Sequence, residues 1–441
     1  MVNNKRKSST SKELKVEFSL PNATSFGGAL PILTYMNRLE LEKQFSEKLT
    51  FSKGANSTYS LPKFCMTQVA GRLLGKERIC HFEEIEQDKF LARELGLSNG
   101  KLPDAKILYK DLERFDTQEK ILGLKQVNDQ VNARQLKNQT RVILDFDSSV
   151  ETIYGEQEGA AVGYNPRDHG KASFHPLLCF DGVSHNALGF ELRSGDAYTS
   201  DGTPDMLEDI LQSLPENIQT ILSRGDKGFG SEKMYAACES KMIGYTIKMK
   251  KSNPLLKLAL SRPWCRFHEG THIIEYTEFE YQASGWSIPR RIIAVRTKEV
   301  VEEEQMQLFP EYGWEYEWIV TNLLWEGENI WRFYNHRCGM ENYIKEAKNG
   351  FALDAITNDE FFPNAADGML KLIAYNVYQG FKNEVAPEEA KSYTVSRMRR
   401  TFWTIPAVLV SHARQWTLKL WEGFARQALW ISMLTRVRQL E

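Results

Sequence analysis

The spacing of hydrophobic and polar positions changes twice along the chain and divides it into helical and strand-rich stretches. From about residue 25 to residue 140, apolar residues recur at helical spacing. This spacing predicts helices over 62–74, over 84–95 and from Pro103 onward. Three short helices with a Gly-containing turn are typical of helix-turn-helix DNA-binding domains and equally of plain helical bundles, so the pattern leaves both open.

At residue 141 the period changes to that of strands. The predicted strands cover 141–149, 175–180, 187–193, 218–223 and 244–249, with helices beginning near Thr203 and Ser231. Three strands followed by helix, strand, helix and strand predict a mixed sheet covered by helices. Residues 262–325 then alternate like antiparallel strands, and helical spacing returns at about Ile330. These later strands therefore form an insertion in the sheet domain.

The composition adds limits on compartment and partners. The chain of 441 residues is 42% hydrophobic and 26% charged, as expected of a globular protein with a substantial core. No apolar run approaches the ~18 residues of a membrane span, and the polar N-terminus has no signal-peptide core. The six cysteines include no C-x-x-C pair, so we expect a reduced cytoplasmic compartment and no membrane partner.

Charge is segregated along the chain. The total of 56 Lys and Arg against 58 Asp and Glu gives −2, which by itself does not suggest a nucleic-acid partner. Residues 244–266 carry six basic and no acidic side chains, residues 299–326 carry eight Glu and no basic residue, and residues 391–441 carry nine basic residues and two Glu. We expect the two basic blocks to line DNA, and the Glu-rich block to face solvent or a basic surface of the same protein.

The most informative stretch runs from Tyr334 to Lys348. At ~100° per residue, one helix face within about 60° presents four functional side chains: Tyr334, Arg337, Glu341 and Lys348. Charged side chains beside a carboxylate can contact phosphates while the carboxylate holds a metal ion. The same residues also fit a solvent-facing helix with favourable charge pairs. Glu346 falls off this face and is the weaker catalytic candidate.

Two further acidic motifs lie at predicted strand ends. Asp145 and Asp147 share one face near the end of the first strand, where desolvated carboxylates are costly without a partner. Asp226 lies in Arg224-Gly-Asp-Lys-Gly-Phe229 after the fourth strand, a stretch that also fits an ordinary turn. Carboxylates at the ends of the first and fourth strands and on a later helix converge in a ribonuclease-H-like sheet, which can hold two Mg²⁺ ions for in-line phosphoryl transfer.

Together these motifs resemble those of DDE transposases from bacterial insertion sequences. The helix matches their signature Y-x2-R-x3-E-x6-K. Asp147-Ser-Ser149 resembles their D-x-T segment, with Ser in place of Thr, and Arg224–Phe229 resembles their second-Asp motif. The run over 154–166, which contains Gln157-Glu-Gly-Ala, resembles the branch whose members share that stretch. The resemblance covers most of the chain.

The resemblance implies roles for particular residues. It implies a catalytic triad that also binds the metal: Asp147, Asp226 and Glu341. It implies three further side chains that contact DNA phosphates: Tyr334, Arg337 and Lys348. The cofactor would be two Mg²⁺ ions, for which Mn²⁺ could substitute. The first metal ligand stays open between Asp145 and Asp147, and Asp147 is preferred because it matches D-x-T and lies nearer the strand end.

Two other features need separate interpretation. His268-Glu-Gly-Thr-His272 matches the H-E-x-x-H pattern of zinc proteases, which requires both His on one helix face. Gly270 and the alternation that follows favour a strand there, so we do not expect a zinc site. In related enzymes an aromatic side chain of the insertion stacks on an extruded base, and Trp286, after Gly285 in a predicted turn, is the candidate.

The predicted fold class is α/β: a ribonuclease-H-like mixed sheet flanked by helices, interrupted by an antiparallel β insertion, with helical N- and C-terminal regions. The predicted segments are a basic disordered leader (1–20), a helical domain that binds terminal repeats (21–140), the first part of the catalytic core (141–250), the β-rich insertion (251–327), the second part of the core with the catalytic helix (328–385), and a basic helical region for DNA or dimer contacts (386–441).

The predicted function is cut-and-paste DNA transposition. The protein would bind the terminal inverted repeats of its insertion sequence and catalyse two-metal strand cleavage and 3′-OH strand transfer. Its partners would be double-stranded DNA, as transposon ends and target, and at least one further protomer in a synaptic complex at the bacterial nucleoid. Two alternatives stay open: a ribonuclease-H-like nuclease without strand transfer, and a non-catalytic DNA-binding protein of the same fold.

Overall fold

The computed structural model describes residues 14–299 and 313–440. Residues 1–13 of the predicted leader and residues 300–312 of the Glu-rich block lie outside these ranges. Up to residue 136 the chain is mainly helical, and polar side chains such as Ser60 and Thr117 begin its helices by accepting a hydrogen bond from the backbone N–H three residues later. These helices are α1 (Leu30–Arg38), α2 (Leu41–Lys48), α3 (Leu61–Leu73), α4 (Lys89–Glu94), α5 (Ala105–Leu112) and α6 (Gln118–Leu136).

Two of the predicted helix starts are wrong, and the capping residues explain why. The second predicted helix is α4, whose start is set by Asp88 through a hydrogen bond from the N–H three residues later (3.0 Å), not by residue 84. Asp104 begins α5 in the same way (2.8 Å), so Pro103 precedes the helix. Gly96 does end α4, with the left-handed φ of +65° that favours glycine.

The remaining elements alternate between strands and helices. The strands are β1 (Ala23–Thr24), β2 (Arg141–Ser148), β3 (Glu151–Thr152), β4 (Ala161–Val162), β5 (Ala172–Phe174), β6 (Leu177–Asp181), β7 (Ala187–Glu191), β8 (Thr220–Gly225), β9 (Gly244–Lys248), β10 (Cys265–Glu269), β11 (His272–Tyr281), β12 (Arg290–Glu299), β13 (Glu315–Thr321), β14 (Ala407–His412) and β15 (Gln415–Leu420). The later helices are α7 (Thr203–Ser213), α8 (Glu232–Ser240), α9 (Asn253–Leu260), α10 (Gly327–Asn335), α11 (Cys338–Phe351), α12 (Phe361–Glu384), α13 (Val395–Met398) and α14 (Gln427–Gln439).

A nine-stranded mixed sheet forms the centre of the molecule. Its order is β10-β11-β12-β13-β9-β8-β2-β6-β7, with β2, β8 and β9 parallel to one another and β6 and β7 joined as an antiparallel hairpin. This confirms the predicted mixed sheet covered by helices. The four strands of the insertion do not stand apart, because β13 pairs with β9 and continues the same sheet. From the Glu-rich block, Glu317 on β13 pairs with Lys248 of β9 at 3.0 Å.

The alternation of side chains along β2 separates two environments. Val142, Leu144 and Phe146 point into a core built with α7, α8 and α9. Asp145 and Asp147 point to the opposite face, where α11 and α12 pack. The charged face of β2 is thus covered by the C-terminal part of the chain.

The C-terminal region is not wholly helical, which corrects one part of the predicted fold class. Residues 407–420 form the hairpin β14–β15, and β1 pairs with β14. Ala413 and Arg414 turn the hairpin with φ values of +48° and +67°, the two left-handed positions of a two-residue turn. The alternation of polar and apolar residues over 415–420 is the signal that identifies the second strand of this hairpin.

Candidate active site

The two aspartates at strand ends are neighbours because their strands are parallel. Phe146 of β2 pairs with Gly225 of β8, so Asp147 within β2 and Asp226 directly after β8 are neighbours. An oxygen of Asp226 accepts a hydrogen bond from the N–H of Gly228 at 2.8 Å, which fixes the tight turn after β8. Both predicted Asp motifs therefore lie at one edge of the sheet.

The predicted catalytic helix is broken, which corrects the single helix face drawn across Tyr334 and Lys348. Tyr334 belongs to α10, and α11 begins only at Cys338. Between them the hydrogen bonds span three residues, from Arg337 N to Tyr334 O at 2.9 Å and from Met340 N to Arg337 O at 2.8 Å. This tighter turn rotates α11 relative to α10 and carries Arg337 between the two helices.

Arg337 lies at the centre of the carboxylate group. Its Nη2 donates to the carbonyl of Phe146 at 2.7 Å and lies 3.5 Å from a carboxylate oxygen of Asp147. Its Nε is buried and has no hydrogen-bond partner among the described residues. One guanidinium donor is therefore available to a ligand at this point.

The charges of the predicted triad act on Asp147. Burial raises the pKa of the Asp147 carboxyl; Arg337 and the Ser148 N–H oppose that rise, and the charges of Asp226 and Glu341 add to it. The Asp147 side chain is still 24% exposed, and Glu341 is exposed on α11. Two carboxylates from other chain segments thus act on Asp147, and solvent reaches both Asp147 and Glu341.

The donor set fits a hard divalent cation, which takes carboxylate oxygens. Within 14–299 and 313–440, no group of three His, Cys, Asp or Glu side chains is drawn closely enough to enclose an ion. Asp147, Asp226 and Glu341 therefore border a gap and do not form a finished cage. Their mutual repulsion is of the kind that a divalent cation would relieve.

Asp145, the alternative first ligand, has a different environment. It is fully buried, and both of its carboxylate oxygens accept hydrogen bonds at 2.6 Å from Arg224. Arg224 also donates to the carbonyl of Phe333 on α10 at 2.8 Å. Asp145 therefore anchors Arg224, and Arg224 anchors α10 to the sheet.

The remaining predicted contacts with DNA differ in exposure. Lys348 is partly buried and donates to the hydroxyl of Ser149, so the Ser in the D-x-T-like segment accepts a hydrogen bond from the signature lysine. Tyr334 is 6% exposed, and burial raises the pKa of its phenol. The Nζ of Lys248 lies 4.8 Å from the centre of the Tyr334 ring.

Trp286 and Glu346 are placed away from the carboxylates. Trp286 is half-buried and packs edge-on against Tyr235 of α8 and Tyr281, with Arg290 over its ring at 5.2 Å. The Glu346 carboxylate accepts a hydrogen bond from the N–H at the start of α13 at 2.7 Å. The structure therefore shows packing and capping roles for these two side chains.

The H-E-x-x-H stretch is a hairpin. Glu269 of β10 pairs with His272 of β11, and Gly270 turns between them with φ +56°. The two histidines therefore do not share a helix face, as the sequence predicted from Gly270 and the alternation.

Sequence reasoning missed two residues that support the site. The Nδ1–H of His175 donates to the carbonyl of Ala197 at 2.9 Å. Its Nε2 lies 2.9 Å from the hydroxyl oxygen of Ser148, the residue next to Asp147. Glu151 is buried near Lys348, and burial raises its pKa to about 7. His175 and Glu151 are joined to Asp147 by long or irregular stretches of chain, so the spacing of apolar residues did not point to either of them.

Comparison with known proteins assigns the chain to a protein family. The profile of the family described as "Transposase DDE domain group 1" matches residues 6–441. The chain therefore belongs to the DDE transposases, and within them to group 1. This confirms the resemblance at the level of the family, while the bacterial insertion-sequence branch stays a prediction. A search of curated proteins finds no significant match.

Two solved structures show distant likeness. One is a piggyBac transposase synaptic complex with hairpin DNA, with 11% identity over 85% of this chain and 79% of that chain and a TM-score of 0.46. The other is a Mos1 transposase paired-end complex with the left transposon end, with 9% identity over 44% of this chain and 60% of that chain and a TM-score of 0.18. Among the described helices, none is long and apolar enough to cross a membrane.

Proposed function

We propose that this transposase cuts DNA at the terminal inverted repeats of a bacterial insertion sequence and joins the freed 3′-OH to target DNA. The observation that carries the proposal is that Asp147 and Asp226 follow paired residues of the parallel strands β2 and β8, with Arg337 3.5 Å from Asp147 and Glu341 in the first turn of α11. Family membership supplies the reaction class, and this gathering supplies a place for it. The strand order β7-β6-β2-β8-β9, with β6 antiparallel and the last three parallel, supports a ribonuclease-H-like sheet.

Asp147, Asp226 and Glu341 would hold Mg²⁺, with Mn²⁺ as a substitute, because all three offer hard oxygen ligands and Arg337 is the one cation in contact with Asp147 among the described residues. Such ions, when bound, supply Lewis-acid activation at the attacking and leaving oxygens of a phosphodiester. Asp145 is not part of this set in our proposal, since both of its oxygens are used by Arg224.

The cations beside the carboxylates would orient the scissile phosphate. Arg337 can donate from its unpaired Nε while its Nη2 stays on the Phe146 carbonyl. Lys348 is held by Ser149 and would reach a neighbouring phosphate. Tyr334 is buried, so it would act through Lys248, which lies over its ring.

Duplex DNA would approach along the exit of β9. The strand β9 is parallel to β8 and ends at the same edge of the sheet, and the stretch after it carries four exposed cations: Lys250, Lys251, Lys257 and Arg262. They would neutralise backbone phosphates without reading sequence. The helices before residue 140 would recognise the repeats, and two ends require at least two protomers in the synapse.

The test uses purified protein, a labelled duplex carrying the inverted repeats that flank the coding region, Mg²⁺ and a plasmid target. We expect a cut at the repeat boundary and a joined product, both lost in Asp226→Asn. Glu346→Gln is the matched control, since Glu346 lies on α11 but caps α13, and it should retain activity.

The two alternatives predict different products in the same reaction. Cleavage without joining would favour a nuclease. Binding of the repeats without cleavage, unchanged by Asp226→Asn, would favour a non-catalytic DNA-binding protein. Cleavage that survives Asp226→Asn would show that the carboxylates are wrongly assigned.

A further inference from the structure

Three tyrosines beside the proposed active site point into solvent. Tyr154, Tyr164 and Tyr198 are 80%, 75% and 78% exposed. Cations lie among them: the Nζ of Lys171 is 4.4 Å from the centre of the Tyr154 ring, and Arg167 is exposed. These five residues are called the tyrosine–cation surface below. Exposed aromatic rings interleaved with cations are typical of surfaces that contact nucleic acid.

The loop that carries Tyr164, Arg167 and Lys171 is fixed by hydrogen bonds to buried side chains. Asn165 is 3% exposed; its side-chain oxygen accepts hydrogen bonds from the N–H groups of Arg167 (3.1 Å) and Asp168 (3.0 Å), and its NH₂ donates to the Thr152 hydroxyl (3.0 Å). The Thr152 hydroxyl donates in turn to Asp168 at 2.8 Å. Thr152 follows Asp147 by five residues, so the anchor lies within ~17 Å of the site along an extended chain.

The loop that carries Tyr198 is fixed against the turn of Asp226. Buried Arg193 donates to the carbonyl of Tyr198 at 3.1 Å and to that of Thr199 at 3.3 Å. The methyl group of Thr199 lies 2.6 Å from the position that a Cβ on Gly228 would take. Thr199 thus packs directly on the turn that positions Asp226, with Tyr198 beside it.

The two loops form one surface. A Cβ on Gly163 would lie 1.9 Å from the carbonyl oxygen of Gly195, so the backbones touch there. Tyr164 follows one glycine directly and Tyr198 follows the other by three residues. The tyrosines are therefore presented by adjoining, preorganised loops, at little entropic cost on binding.

We propose that the tyrosine–cation surface binds the target DNA into which the cut end is joined. The inference rests on the proposed function. Tyrosine, lysine and arginine contact the sugars and phosphates of a duplex, whereas the amide of the loop, Asn165, is used internally and cannot read a base edge. A surface that tolerates any sequence suits a target, since targets vary while the repeats are fixed.

Binding tests the surface without requiring catalysis. The probe is a fluorescein-labelled duplex of arbitrary sequence, followed by anisotropy at several salt concentrations. We expect Tyr164→Ala with Tyr198→Ala to weaken binding about tenfold with an unchanged salt slope. Lys171→Ala should lower the salt slope by ~0.9, as expected for one lost phosphate contact. Binding by both variants equal to that of the unaltered protein would overturn the proposal.

Joining tests the choice of target over transposon end. With repeat-bearing duplex and plasmid target, we expect the double tyrosine variant to cut ends within about twofold of the unaltered protein and to join them about tenfold less. Equal loss of cutting and joining would overturn the assignment to target. The matched control is Lys241→Ala with Met242→Ala, an exposed cation and an exposed apolar residue at the start of β9. Failure of the unaltered protein to cut would contradict the proposed function, whereas the binding test would still decide the surface.

Discussion

Two groups of charged side chains in this transposase are balanced in opposite ways. The first, the Asp367 cluster, joins α3 to α12: one oxygen of Asp367 accepts from Arg72 at 2.7 Å, and the other accepts from Lys371 at 2.8 Å and Thr357 at 2.9 Å. Arg72, Asp367 and Lys371 are each about 1% exposed. Two cations here surround one carboxylate.

The second group, the carboxylate cluster, is the site formed by Asp147, Asp226, Glu341 and Arg337. It reverses the ratio: two further carboxylates, Asp226 and Glu341, and one cation, Arg337, act on Asp147. Burial would raise the pKa of Asp367, but Arg72 and Lys371 outweigh it and the pKa falls below its usual range. Burial raises the pKa of Asp147, and Arg337 does not outweigh it.

The difference separates structure from function. A closed cluster stabilises the fold and offers nothing to a ligand, because its hydrogen-bond acceptors are already used. A cluster with excess negative charge is kept at a cost to stability and is suited to an external cation. Changes in the two clusters should therefore act on different measured quantities.

The largest expected effect is on activity. Asp226→Asn should lower Mg²⁺-dependent cleavage of repeat-bearing DNA by ~1,000-fold, since it removes one charged ligand from the proposed metal site. The melting temperature should stay the same or rise, because one repulsive charge is lost. Cleavage by this variant near the wild-type rate would contradict the functional role given to the carboxylate cluster. Glu346→Gln should leave the cleavage rate and the melting temperature unchanged, because Glu346 lies on the side of α11 that contacts α13.

The next effect is on stability. Asp367→Asn should lower the free energy of unfolding by about 3–5 kcal/mol, because it leaves Arg72 and Lys371 buried without a counter-charge. Urea denaturation would measure this, and cleavage per folded molecule should be retained. Asp116→Asn is the control: exposed Asp116 pairs with Lys120, and loss of such a surface pair should leave the urea midpoint almost unchanged. A similar cost in both variants would show that the cluster is not a stabilising unit.

Asp145 sharpens the comparison because it lies two residues from Asp147 on the same face. Its bidentate pairing with Arg224 uses both carboxylate oxygens, although burial raises its pKa as it does that of Asp147. Asp145→Asn should cost about 2–3 kcal/mol of stability, since one charged hydrogen bond is lost. Asp147→Asn should instead abolish cleavage with little change in the unfolding midpoint. The reverse outcome would make Asp145 the first metal ligand.

These differences show what the sequence could predict. Period-two alternation located β2 and placed both aspartates on one face, and the βαβ order placed Asp226 beside Asp147. The sequence pattern could not choose between Asp145 and Asp147 as the first metal ligand. The deciding partner of Asp145 is Arg224, which lies 79 residues later in the chain, and their pairing depends on the register of the sheet. Long-range pairing of this kind has no local pattern.

The elements that were wrongly predicted have local causes that spacing does not reveal. The break between α10 and α11 is made by backbone hydrogen bonds around Arg337 that span three residues and not four. The apolar residues on both sides of it keep helical spacing. The hairpin over 407–420 is short and lies between helices, so the helical pattern on either side hid its alternation. Register and cap geometry, more than composition, decided these places.

The smallest effect belongs to Glu151, which lies between the two clusters and interacts with Lys348 of one side and Lys371 of the other. Burial raises its pKa to about 7, with the two lysines opposing that rise. The folded protein thus holds this proton at pH values where the unfolded chain, at about 4.5, has released it. The stability from this proton is present below about pH 4.5 and is lost as the pH rises through 7.

Glu151→Gln should therefore flatten the melting temperature between pH 5 and 8 and stabilise the protein at pH 8 by on the order of 2 kcal/mol. Differential scanning calorimetry across this range would measure it. Glu156→Gln, an exposed change five residues later, should keep the wild-type profile. Destabilisation by Glu151→Gln at pH 8 would mean that Lys348 and Lys371 hold the carboxylate charged. Glu151 would then belong with Asp367 as a closed, stabilising charge and not with the open carboxylates of the site.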